Sequence, residues 1–337
     1  MPTEKKPLKI AVIGCGINGI SCAISLAERG HIIDIYEKKT AFSETSAKSS
    51  KLLHGGLRYL ENGHFKLVKE SLKERSNWVK KLPDLTKIQR FYMPIYKGHS
   101  RNKFLLFTGV KLYELLAANF SLGKSNMHSK KETLEANPLL KQEGLIGSVS
   151  YVDVQMDDYK IAEWLKNEAL NKGEHLKENN EVVSFCENGS LTTRGSETLN
   201  YDFIVNAAGP WAKELLKTNN IQSNFNMSLV RGSHLILDLK IQSPLVLQST
   251  KDKRIVFMLP LDNGCLLGTT EYSHNIKDPI VCTQIERDYL VDIANTYLEK
   301  TLTQKNIISD YAGVRPLVFD SSTCLLYTSP SPRDDYE

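Results

Sequence analysis

The chain has 337 residues, 43 Lys and Arg against 39 Asp and Glu, a net charge of +4, and 41% hydrophobic residues. It is long enough to bury a large core in one compound domain or two. Its mild basic bias suits anionic ligands and is too diffuse for a nucleic-acid surface. Cysteines at 15, 22, 186, 265, 282 and 324 show no Cys-x-x-Cys spacing, so neither a zinc site nor a disulfide framework is expected, and the chain reads as one from a reducing compartment. Lys5-Lys6 leads into only a six-residue apolar run, which is no signal peptide. No stretch is long and apolar enough to span a bilayer.

Residues 8–13 read as a buried strand, followed by Gly14-Cys15-Gly16-Ile17-Asn18-Gly19, an apolar helix over 20–26, and a second strand over 32–36 that delivers Glu37. Gly14 allows the tight turn, Gly16 the approach of a pyrophosphate, and Gly19 the packing of helix on strand. Phosphates would sit on the positive end of the helix. Glu37 would accept from ribose hydroxyls and repel a 2′-phosphate, an inference that Lys38 and Lys39 soften. The pattern predicts a dinucleotide site without choosing FAD over NAD.

Ser49-Ser50-Lys51-Leu52-Leu53-His54-Gly55-Gly56-Leu57-Arg58-Tyr59-Leu60 follows. Gly55 and Gly56 remove two side chains, so a planar ligand can approach the backbone. Arg58 and Tyr59 set an anion clamp and a phenol beside that surface. An anionic substrate under a flavin is one reading; a glycine turn before a surface helix is the other.

Helical spacing over 64–81 stops at Pro83, and 91–96 reads as extended. Residues 104–118 follow Arg101 and Lys103 and form an apolar helix, either buried in the fold or lying on a membrane surface. Ser129 to Glu132 has capping-box spacing before a helix that stops by Pro138. Asp157 or Asp158 caps a helix to about 171, and this pair is read as a cap, not a catalytic dyad. A strand ending at 204–206 enters a second glycine turn, with Pro210 at the first helical position. Antiparallel strands are expected at 228–237, 245–249, 254–260 and 265–270, and Thr283 to Glu286 opens a helix over 284–299. Parallel βα units followed by an antiparallel block predict an α/β fold: a Rossmann-like dinucleotide-binding domain interleaved with a mixed or antiparallel sheet covering the substrate.

The segments 13–20, 49–75, 153–158, 205–212, 229–237, 252–260, 266–271 and 311–317 occur in the order seen in a known family. Together they resemble the FAD-dependent glycerol-3-phosphate dehydrogenases, within the D-amino-acid-oxidase-like flavoproteins. The resemblance implies that Gly14, Gly16, Gly19 and Glu37 hold the ADP half of FAD. It places Ser49, Ser50, Lys51, His54, Gly55 and Gly56 along the ribityl and flavin region. Val183 would touch adenine through its backbone, and Ala208 and Gly209 would lie near the pyrophosphate. Arg58, Tyr59, His234 and Arg315 would face glycerol 3-phosphate, with His234 as the base and Arg315 stabilising an alkoxide or binding phosphate. A core histidine and a buried ion pair are the alternatives for these last two.

The same resemblance implies oxidation to dihydroxyacetone phosphate, electrons passed to a quinone, and peripheral attachment to a membrane surface. A homodimer is one assembly the sequence leaves open. The expected location is the inner face of a bacterial cytoplasmic membrane, or the mitochondrial inner membrane in a eukaryote. The rival readings are a glycerol-3-phosphate oxidase using oxygen, another oxidase of amino or hydroxy acids, and an inactive FAD-binding fragment. Residues 1–95, 145–220 and 305–322 are allotted to the FAD-binding domain, and 96–144 and 221–304 to the substrate domain. The segment 323–337 reads as a tail outside the family, on a chain shorter than its relatives.

Overall fold

The computed structural model describes residues 6–320 except 62, 99–101 and 196–197, and leaves aside the side chains of 58, 61, 319 and 320. The tail at 323–337 lies outside the described residues.

A four-stranded parallel sheet runs in the order Phe203–Asn206, Lys9–Ile13, Ile32–Tyr36, His175–Lys177. Its central strand is buried on both sides, as parallel sheets require. Ile10 and Val12 face Ile20 and Ala23 of helix Ile17–Ala27 and Ile161 and Leu165 of helix Asp158–Asn171. Ala11 and Ile13 face the opposite way, onto Val182, Phe185 and Leu191 of a three-stranded antiparallel sheet. The expected strand-helix-strand unit is present, with the helix starting three residues earlier than its apolar run because Gly16 serves as the N-cap.

The second body is a ten-stranded mixed sheet. Its longest pairing sets Phe225–Leu237 against Ile307–Asp320, antiparallel, with Gly264–Gly268 on the other flank of the first strand. One face packs on helix Gln284–Tyr297 through Leu235, Leu237, Leu247 and Leu267. The other face meets helices Leu57–Glu61, Phe65–Lys81 and Lys103–Ala117 through Phe91, Val149, Val246 and Leu266. Alternation along each strand sorts residues between these faces. The α/β class and the antiparallel block thus stand as expected. Strands Thr86–Tyr96, Leu145–Met156 and Ile307–Asp320 all belong to this large sheet, although the sequence allots those ranges to the FAD-binding part. Sheet membership follows hydrogen-bond partners, which nearness in the chain does not reveal.

Candidate functional site

Strand parity builds the site. On Phe225–Leu237 the even positions Val230, Gly232 and His234 point to the side of the helices, opposite the core residues Leu235 and Leu237. Their partners on the neighbouring strand are Arg315, Gly313 and Tyr311, in register. Arg315 and His234 therefore sit two pairs apart on one face. They line a cavity of about 1100 Å³ together with Ser49, Ser50, His54, Gly56 and Tyr59. Helix Leu57–Glu61 closes that cavity through Leu57, Tyr59 and Leu60, so the backbone at 58 borders the same space as Arg315. The Arg58 side chain lies outside the described residues.

His234 is buried, with Nε2 2.8 Å from Ser50 Oγ and its ring stacked on Tyr311 at 4.8 Å between centroids. Burial first, then the charges of Arg315 and Lys51, lower its pKa to about 3, so the imidazole is neutral at physiological pH. Arg315 Nη2 donates to Thr269 Oγ1 at 3.1 Å, and Nη1 lies 3.4 Å from Glu271 Oε1. Glu271 is also paired with the buried Arg254 at 3.1 Å. Neither Glu271 nor Tyr311 is singled out by the sequence reading. A carboxylate following the otherwise apolar 264–268 strand was the available signal for the first.

The dinucleotide residues form a second group. A Cβ at Gly19 would lie 1.9 Å from Gly14 O, and one at Gly14 would lie 2.6 Å from Ala207 O. Loop, helix and the 207–209 turn thus meet backbone to backbone, which brings Ala208 and Gly209 beside Gly14. N-cap Gly16 gives the helix no side-chain cap, leaving a first turn of the kind that binds phosphate. Glu37 accepts from Cys15 N and Lys39 N, both at 2.9 Å, and so ties the loop to the end of its strand. The 179–183 segment joins it through Asn180 N donating to Glu37 O at 2.8 Å, which sets the half-exposed Val183 near that end. The chain from 45 to 50 links both groups: Ser46 Oγ accepts from Ile17 N at 2.9 Å, while Ser50 reaches His234. These features fit a dinucleotide stretched from glycine loop to cavity.

Two expectations need correction. Gly55 does not open a flat face to a ligand: a Cβ there would lie 2.3 Å from Tyr113 Oη and from Leu72 Cδ2, so the missing side chain is replaced by the protein's own core. Gly56 is needed for its left-handed φ of +77° and for the Tyr59 ring lying over it. Lys51 does not line the cavity, because its ammonium pairs with Asp158, whose other oxygen accepts from Ser49 Oγ at 2.8 Å. Asp157 alone is the N-cap, accepting from Lys160 N at 3.1 Å, and Asp158 braces the Ser49–Lys51 turn.

Comparison with known proteins bears on the family and the fold. The FAD dependent oxidoreductase family matches residues 9–333, a range reaching into the segment expected to lie outside the family. The aerobic glycerol-3-phosphate dehydrogenase of Staphylococcus haemolyticus is 31% identical over 332 residues, covering 94% of this chain and 60% of that protein. The glycerol-3-phosphate dehydrogenase of Bacillus halodurans, solved with FAD, superposes with a TM-score of 0.75 at 26% identity over 94% of this chain and 58% of that one. The L-alpha-glycerophosphate oxidase of Mycoplasma pneumoniae, also with FAD bound, shares the fold with a TM-score of 0.72 at 18% identity over 97% and 88% of the two chains. The chain thus spans about three fifths of the length of the dehydrogenases it matches. With its glycine cradle and its face of His234 and Arg315, the chain belongs to the family of FAD dependent oxidoreductases.

Proposed function

We propose that the protein oxidises sn-glycerol 3-phosphate to dihydroxyacetone phosphate with FAD and passes the electrons to a quinone. The observation that carries this reading is the pairing of a neutral buried imidazole with a guanidinium on one cavity wall. The names of the relatives supply the substrate. FAD, when bound, supplies a two-electron acceptor for the hydride of a secondary alcohol. Gly14, Gly16, Gly19, Glu37, Ala208 and Gly209 would hold its ADP half, with Val183 beside the adenine, and Ser49, Ser50, His54 and Gly56 its ring end.

The protein's own part is binding, orientation and the proton. Arg315, kept in plane by Glu271 and Thr269, presents a fork to the phosphate of the substrate. Arg58 and Tyr59, on the helix across the cavity, complete the anion site in this reading. His234 receives the hydroxyl proton while the carbinol carbon is held against the cofactor.

Peripheral membrane binding belongs to the same proposal. Among the described residues no helix is long and apolar enough to cross a membrane. Helix Lys103–Ala117 buries Val110, Tyr113 and Ala117 yet leaves Phe104 and Leu115 exposed, away from the cavity, a face suited to a lipid surface. Its flanking Lys103 is turned inward, donating to His128 O at 2.7 Å.

The test is anaerobic addition of sn-glycerol 3-phosphate to the FAD-loaded protein. Bleaching of the flavin absorbance supports the reading, and no bleaching overturns it. Reoxidation by a soluble quinone analogue without peroxide release supports the quinone; stoichiometric hydrogen peroxide assigns oxygen in its place.

A further inference from the structure

The surroundings of His234 restrict how a proton reaches it. Only 2% of the residue is exposed, and Nδ1 is buried with no hydrogen-bond partner among the described residues. On one flank lies Gly268, where a Cβ would fall 2.3 Å from the imidazole Cδ2; on the other lies the stacked Tyr311 ring, 20° from parallel. The nitrogen that remains, Nε2, already has a partner, Ser50 Oγ at 2.8 Å. Ser50 is half-buried and lines the cavity beside Gly232, Thr269 and Arg315.

We propose that Ser50 is a second catalytic residue, whose Oγ takes the hydroxyl proton of the bound alcohol as its own proton passes to His234 Nε2. The inference deepens the alcohol-oxidising reading above and rests on it. In the step, the substrate O–H bond breaks and a new O–H bond forms at Ser50. The former Ser50 proton becomes the Nε2 proton of an imidazolium. The electron pair left on the substrate oxygen forms the carbonyl as hydride leaves the carbinol carbon for the oxidised flavin, which gains two electrons.

The relay requires Nε2 to be the unprotonated nitrogen, with the neutral ring's proton on Nδ1. The charged groups acting on the ring are Lys51, itself paired with Asp158, and Arg315, itself paired with Glu271; the Tyr311 phenol, whose pKa burial raises, donates to Ser49 O at 2.7 Å. Both cations oppose an imidazolium before substrate binds. A phosphate dianion at Arg315 offsets them, so the bound substrate itself raises the basicity of His234.

Two measurements test the relay. Nitrogen-15 NMR of the imidazole, on protein without substrate, is expected to show an unprotonated Nε2 whose signal moves in Ser50→Ala. An Nε2 that carries the proton overturns the proposal. In FAD-loaded protein, with bound-flavin absorbance recorded first, Ser50→Ala is expected to slow flavin reduction by glycerol 3-phosphate by about 100-fold, and Ser50→Thr to restore it to within about tenfold. The wild-type rate should fall along a curve with rising D₂O fraction, since two protons move together. A straight line overturns the relay even where Ser50→Ala loses its flavin, and so does an unchanged Ser50→Ala rate. A wild-type flavin that glycerol 3-phosphate never reduces strikes the substrate reading instead, to which the imidazole signals are indifferent.

Discussion

Gly268 is the cross-strand partner of His234, and the imidazole fills the place where a side chain at 268 would stand. Gly268→Ala therefore pushes the ring toward Tyr311, an overpacking that costs about 1–3 kcal/mol. Urea unfolding measures that loss. Flavin reduction by substrate should fall with it, while flavin content stays near wild type, because the glycine loop at 14–19 follows a strand of the other sheet. An unchanged reduction rate would show that the ring position does not matter.

Arg315→Ala removes the guanidinium from the cavity and leaves Glu271 facing it. Substrate affinity should drop by about 2–4 kcal/mol. Arg315→Lys restores charge without the planar fork and should recover only part of that loss. The readout is the substrate concentration that half-reduces the flavin; equal values in all three proteins would remove Arg315 from the site.

Beneath the cavity, Arg75 and Asp153 are both buried and paired at 3.0 Å, with Tyr113 Oη donating to Asp153 at 3.1 Å. Asp153→Ala strands the guanidinium and should destabilise the fold by about 3–5 kcal/mol. Replacing the pair together, Arg75→Met with Asp153→Leu, should recover most of that in chemical denaturation. A double variant as unstable as the single one would refute the desolvation argument.

Glu174 is buried, neither carboxylate oxygen has a hydrogen-bond partner among the described residues, and burial raises its pKa to about 7. Between its unfolded value and pH 7 the folded state keeps a proton that the unfolded state has lost. Stability should therefore fall as pH rises through that window, by about 3 kcal/mol in all. Glu174→Gln should flatten the dependence and leave the protein more stable at pH 8, read as the unfolding midpoint against pH. A wild-type midpoint that rises from pH 5 to 7 would contradict the sign.

Much of the architecture was legible because its signals are local. The capping boxes at Ser129 and Thr283 form as spaced, and the helix from 65 stops before Pro83. The strand expected over 228–237 forms within Phe225–Leu237, and alternation along it puts His234 opposite Leu235. What stayed hidden is pairing between distant segments. Nothing near Ser50 announces an imidazole 184 residues away, and nothing near Asp158 announces Lys51. The reason given for Gly55 failed in the same way, since its neighbour Tyr113 comes from a helix that the glycine turn does not foretell.

That contact joins the outer skin of the molecule to its reaction chamber. Tyr113 stands on the helix that carries Phe104 and Leu115 outward, and its hydroxyl abuts the turn leading to Tyr59. A side chain at position 55 would have to displace that hydroxyl, so the helix and the Gly55 turn are packed as one piece. The helix proposed above to meet a lipid surface is thus the same one that backs the chamber wall.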